Sequence, residues 1–214
     1  MGAVLTIGTA VLLLALLARQ GVRARRTARD GYIARYPFPS ALGRAVQRRY
    51  PDLNEQQTAL VLRGLRDYFH ICNRAGRRMV AMPSRAVDVA WHELILHTQL
   101  YARFCREGLG RFLHHTPAEA MRAPTLAQAG IRRAWKHACQ REGIDPGKPQ
   151  RLPLLFALDD LLGIPDGFRY RLDCRHDGSG YCAGHIGCGS GGCVSDGGGG
   201  GDASGCGGGG CGGD

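Results

Sequence analysis

The sequence predicts an all-α protein made of an N-terminal transmembrane helix, a small irregular helical bundle and a disordered Gly/Cys-rich tail. Three observations carry this reading. Apolar residues recur at helical spacing from about residue 40 to residue 162, and no alternating apolar/polar run marks a strand. Residues 2–18, GAVLTIGTAVLLLALLA, contain no charge. Of the 33 glycines, 19 fall within 178–214, where too little apolar side chain exists to offset the ordering of the backbone. Four regions follow: a transmembrane anchor at 1–22, a basic juxtamembrane linker at 23–38, a helical domain at 39–170 and a tail at 171–214.

A helix over 2–18 is ~26 Å long, close to the hydrocarbon thickness of a bilayer. Arg19, Arg23, Arg25, Arg26 and Arg29 follow it. Such a cluster stays on the cytoplasmic side, against the anionic inner leaflet. The expectation is a single-pass protein of the cell inner membrane with its C-terminal domain in the cytoplasm. A cleaved signal peptide would carry its basic residues before the apolar run, not after it. In that compartment the nine cysteines stay reduced and act as thiols, metal ligands or core residues.

Tyr32, Tyr36 and Phe38 suit either the membrane interface or packing onto the domain. Ser40 can cap a helix that runs to about Arg49, where Pro51 breaks the pattern. Asn54 caps a second helix, ending near Gly76, with Leu60, Leu62, Leu65, Tyr68, Phe69 and Cys72 on its apolar side. Pro83 and Ser84 start a central helix that Gly108 ends. Val87, Trp91, Leu94, Tyr101 and Cys105 share one of its faces, while Ile95, Leu96, Leu100 and Phe104 spread apolar surface around the rest. Two more helices are predicted over about 125–141 and 152–162, separated by loops rich in Gly and Pro.

The formal net charge is +10, and only two of the 28 basic residues are lysine. This balance suits nucleic acid or an anionic membrane surface. The charge is not gathered in one block, and no RNA-recognition signature of the Lys/Arg-Gly-Phe/Tyr-Gly/Ala-Phe type occurs. Neither partner follows from the charge; the expected partners are the membrane, through the anchor, and an unidentified protein, with nucleic acid the least favoured.

Residues 91–97 read WHELILH. A zinc-protease helix needs histidines four apart, on one face. His92 and His97 are five apart, which places them ~140° from each other around a regular helix. They cannot grip one ion unless a π-bulge intervenes. Asp88 and His92 are four apart and lie on the same side. His114 and His115 follow in FLHHTP, and a turn at Gly108–Gly110 can fold them back. Asp88, His92 and either His114 or His115 would make a three-ligand site with an open position. Two plainer readings stand beside it. Asp88, His92, Gln99, Arg103 and Arg106 form a solvated stripe, or Asp88 and His92 brace the helix as a side-chain pair. His70, His97 and His137 are isolated and suit packing or surface roles.

The run MPSRAVDVAWHELILHTQLYARFCREGLGRFLHHTPAEAM resembles the glycine-rich domain-containing protein family. The matching positions are Pro83, Ser84, Asp88, Trp91, His92 and Tyr101; Phe104, Cys105, Phe112, His114, His115, Thr116 and Pro117 look like its bacterial branch. The resemblance covers about residues 40–170, is specific only over about 82–122, and implies no assigned reaction. It does raise Asp88, Trp91 and His92 above a chance surface stripe, with Trp91 and Tyr101 as binding positions.

Cys174, Cys182, Cys188, Cys193, Cys206 and Cys211 are separated by seven, five, four, twelve and four residues. No C-x-x-C pair of a zinc ribbon occurs. A flexible thiol-rich tail can still gather a soft metal such as zinc or Cu(I). The leading functional expectation is a membrane-anchored cytoplasmic scaffold or sensor. A metal-dependent hydrolase using Asp88, His92 and His114 or His115, with Glu93 as a remote base, is the second, and a basic nucleic-acid-binding module is the third.

Overall fold

The computed structural model describes residues 2–115, 124–172, 181–182 and 186; the side chains of 2–7, 9–11, 124–125 and 181–182 lie outside that description. Among the described residues helices make up nearly all of the regular structure. In chain order the helices are α1 (Gly2–Arg35), α2 (Ser40–Arg49), α3 (Glu55–Ala75), α4 (Arg85–Leu96) and α5 (Thr98–Phe104), then a π-helical turn (Cys105–Leu109), α6 (Pro124–Arg141) and α7 (Leu154–Leu161). One short extended pairing joins β1 (Tyr170–Arg171) in parallel to β2 (Tyr181–Cys182). The rest of the tail, including Cys174, Cys188, Cys193, Cys206 and Cys211, lies outside the described residues, and so does its expected disorder.

The anchor expectation is corrected. Among the described residues no helix is long and apolar enough to cross a membrane. A single-pass inner-membrane location, and the cytoplasmic placement deduced from it, are therefore not supported.

The basic segment after residue 22 continues α1 as helix to Arg35. This end of α1 is fastened to α3 by three devices. Arg66 donates to the carbonyls of Ile33, Ala34 (3.0 Å) and Tyr36 (3.0 Å), acceptors at the C-terminal end of α1. Asp30 accepts from His70 Nδ1 at 2.9 Å and from Asn73 Nδ2 at 2.9 Å. Phe104 then packs edge-on against Tyr36 (4.7 Å) and tilted against Phe69 (4.6 Å), with Tyr32 and Phe38 around it.

Asn54 caps α3 in a capping box: its side chain accepts from Gln57 N at 2.8 Å, and Gln57 Oε1 accepts from Asn54 N at 2.9 Å. α3 runs through the centre of the molecule, touching α1, α2, α4, α6 and α7. Gly64 permits close approaches by α7 and α4. A Cβ there would stand 2.8 Å from a Leu158 methyl and 2.9 Å from a Val87 methyl.

The predicted single helix from Ser84 to Gly108 is broken. His97 leaves the helical region (φ −79°, ψ 62°) between α4 and α5, and the π-turn follows. One straight helix cannot bury apolar residues on every side. The break turns Tyr101, Phe104 and Cys105 into the core and leaves Leu96 and Leu100 outside.

His70 gives this fold an acid limit. Burial holds its imidazole below the ordinary value; the positive charge of Arg141 acts the same way, and the hydrogen bond to Asp30 opposes both. Between the folded value and the unfolded value of about 6.5 the unfolded chain binds more protons, so stability rises with pH. The stability from neutral His70 is complete above pH ~6.5 and is lost as pH falls through the folded value. Urea midpoints of the wild type should therefore drop between pH 7.5 and 5. His70→Asn, which can keep a donor facing Asp30, should flatten part of that fall. Parallel curves for the two proteins would show that His70 does not contribute.

Candidate functional site

Ser84 starts α4. Its backbone is extended and its Oγ accepts from Val87 N at 3.2 Å. Behind it lies Asp159, fully buried on α7. Its carboxylate accepts from Ser84 Oγ (2.6 Å), Arg85 N (2.7 Å), Ala86 N (3.3 Å) and Phe168 N (2.9 Å). A negative group at the first N–H groups of a helix is well placed against the helix dipole. Sequence reading passed over this residue. The signal was a pair of carboxylates, Asp159 and Asp160, within the apolar run PLLFALDDLLG.

The orientation fixed at Ser84 aims Asp88 and His92, one turn apart, at the segment that returns after the π-turn. Gly110 takes φ +66°, a left-handed conformation that favours glycine, and reverses the chain. Tyr101 then anchors the return: its Oη accepts from Trp91 Nε1 at 3.1 Å and donates to the Leu113 carbonyl. Arg111 Nε donates to the Gly76 carbonyl at 2.9 Å. Two residues beyond Leu113, His115 is laid across α4. Its ring meets Trp91 edge-on at 4.6 Å and His92 at 4.2 Å.

Asp88 Oδ1 lies 3.0 Å from His115 Nε2, and Asp88 Oδ2 lies 3.6 Å from His92 Nδ1. One ligand atom from each residue falls within 4.8 Å of the others. Bonds of about 2.0–2.1 Å to a tetrahedral zinc ion imply ligand–ligand separations of roughly 3.3 Å, so small adjustments would suffice. The Asp88 and His115 side chains are mostly covered, 18% and 13% exposed, whereas His92 is 51% exposed. The cluster is therefore backed by the core and open to solvent on the His92 side.

Of the sequence candidates, the structure brings together Asp88, His92 and His115. His114 points the other way, exposed and against the Phe112 ring at 4.9 Å, because neighbouring residues of an extended segment face opposite sides. Trp91 and Tyr101 are buried, so they hold the site's geometry and do not present a binding surface. His92 and His97 engage different carboxylates: His97 Nε2 lies 3.7 Å from Glu93, which also faces Arg48 at 3.7 Å. Glu93 is thus occupied on another flank of α4. Cys72, Cys105 and Cys139 are buried free thiols, and burial pushes Cys72 and Cys139 up to about 12. Protonated thiols of this kind are poor metal ligands and poor nucleophiles.

Fold and site together define an all-helical domain that carries a two-histidine, one-carboxylate cluster on the solvent side of α4. The sequence model of the family described as UCP032817-like matches residues 28–188, well over half of the 214 residues, and the chain belongs to that family. The resemblance to glycine-rich domain-containing proteins is corrected by this match. Several residues that carried the likeness have plain structural duties here: Ser84 caps a helix, Trp91 and Tyr101 share a buried hydrogen bond, and Phe104 fills the core. No curated protein and no solved structure matches the chain.

Proposed function

We propose that this protein is a metal-binding helical domain that holds zinc or a similar divalent transition metal through Asp88, His92 and His115. The convergence of three ligand atoms within 4.8 Å on a rigid support carries this reading. Three protein ligands with one open side are the pattern of a site that exchanges ligands, whereas four closed ligands mark a structural site. A metal held there would polarise a bound water or an incoming carbonyl or phosphoryl oxygen. The chain's own part is to position: Asp88 lies between the two imidazoles, Trp91 supports the His115 ring, and the open side at His92 admits the second reactant. Metal-assisted hydrolysis is the reaction class that fits. A second reading is a scaffold or sensor without catalysis, in which the 3.0 Å Asp88–His115 contact simply ties the return segment to α4 and metal binding belongs to the cysteines of the tail.

Cobalt(II) titration of the full-length chain separates these readings, because thiolate ligation adds intense charge-transfer bands that nitrogen and oxygen ligation lacks. The expected result is one equivalent of cobalt with visible bands of the nitrogen/oxygen type. His92→Ala and His115→Ala should each weaken that equivalent by 100-fold or more. Tyr101→Phe, which releases Leu113 while keeping the ring, should weaken it by roughly 10-fold, the usual effect of losing an outer support. Cobalt spectra showing thiolate ligation alone, unchanged in His115→Ala, would exclude the proposed site.

A further inference from the structure

Three stretches of the chain carry positive charge and no acidic residue: 19–29, 68–87 and 120–141. They are far apart in sequence, yet the fold brings parts of all three together around the turn that follows α3. Asn73 Nδ2 donates to the Arg26 carbonyl at 3.1 Å, and the Arg26 guanidinium lies 3.9 Å from where a Cβ on Gly76 would stand. Arg133 Nε donates to the Met79 carbonyl at 2.6 Å, which fixes α6 against the same turn. Gly130 allows this approach, since a Cβ there would stand 3.0 Å from Ala81 N. Arg74, Arg78 and Lys136 surround His137 closely enough that their charges add to burial in pushing its imidazole below the ordinary value.

Arg74, Arg77, Arg78 and Lys136 are exposed, and none forms an ion pair among the described residues. The acids at the border are already engaged: Asp30 by His70 and Asn73, Asp67 by Arg141 at 2.8 Å, and Glu142 by Arg151. The face is therefore a concentrated, uncompensated field of the kind that attracts polyanions. Nearly all of its cations are guanidinium groups, whose planar forks match phosphate oxygens in pairs. Among the described residues of the three stretches, Val22 and Leu126 are the exposed large apolar side chains and no aromatic ring is exposed, so this surface offers no aromatic platform for unstacked bases.

We propose that this face binds double-stranded nucleic acid through its phosphate backbone, without reading base sequence. The inference is independent of the metal site, which lies on α4 and the segment returning to it.

Fluorescence anisotropy of the full-length protein with a labelled 20-base-pair DNA duplex tests it. Binding is expected at low salt, with log affinity falling linearly against log salt. Arg74→Ala/Arg78→Ala/Lys136→Ala should lower affinity at least 10-fold at 0.1 M salt and reduce the slope by up to about 3, since each phosphate contact contributes about 0.9. Arg44→Ala/Arg48→Ala/Arg49→Ala removes the same net charge from α2 and should leave both quantities nearly unchanged. Equal losses in the two triple variants would mean diffuse charge and would overturn the proposal. So would absence of duplex binding at low salt, or binding confined to vesicles containing phosphatidylserine.

Discussion

Asp159→Ala is expected to destabilise the protein by about 3–5 kcal/mol, because four donors share this one buried carboxylate as acceptor. Ser84 Oγ and the amides of Arg85, Ala86 and Phe168 would all lose their acceptor at once. Each buried donor left without a partner costs roughly 1–3 kcal/mol, less whatever water can restore. The N-terminus of α4 would also lose the negative charge that complements its dipole. Urea denaturation with an unchanged m-value and a much lower midpoint is the expected measurement. A shift under 1 kcal/mol would mean that the carboxylate fills space and does not hold the two helices together. The matching change at an exposed position, Asp52→Ala, should be nearly silent.

Phe104→Ala should cost a similar amount, about 3–5 kcal/mol, through the transfer of a fully buried ring and the cavity it leaves. Its location gives the variant a second, local signature. Phe104 is the ring that Tyr32, Tyr36, Phe38 and Phe69 all meet, so its loss loosens the seat of α1 more than the contact between α4 and α7. Limited proteolysis should cut near residues 30–38 well before the rest of the body opens. Uniform digestion across the body would show that α1 and the bundle open together.

Helix existence was legible in the sequence wherever apolar spacing and a capping signal agreed. Asn54, and Ser84 after Pro83, marked helix starts that the structure keeps. The interruption at His97 was not legible, because the stretch from Arg85 to Leu109 keeps its helical spacing while tertiary packing decides which apolar residues go inside. For the same reason the chain's own arrangement around Asp159 was hidden: three of its four donors lie more than 70 residues away. At the site, the i,i+4 relation of Asp88 and His92 was readable from the number of residues between them. The choice of His115 over His114 was not, since it depends on the Gly110 reversal and on Tyr101 holding Leu113. The apolar leading segment shows the reverse limit. Composition and flanking arginines pointed to a bilayer, but neither observation describes where the helix goes, and its arginine-rich half is seated on α3 through Asp30 and Arg66.

Tyr101, Leu113 and the cluster of Asp88, His92 and His115 all lie within one continuous stretch, in which Asp88 and His115 are 27 positions apart. A short separation makes the entropic cost of joining its ends small. This hairpin of helix, reversal and return is therefore local except at its first turn, which Asp159 of α7 holds. Evolution or an engineer could vary α6 and the loops around it while keeping that carboxylate, and leave the cluster's internal geometry intact.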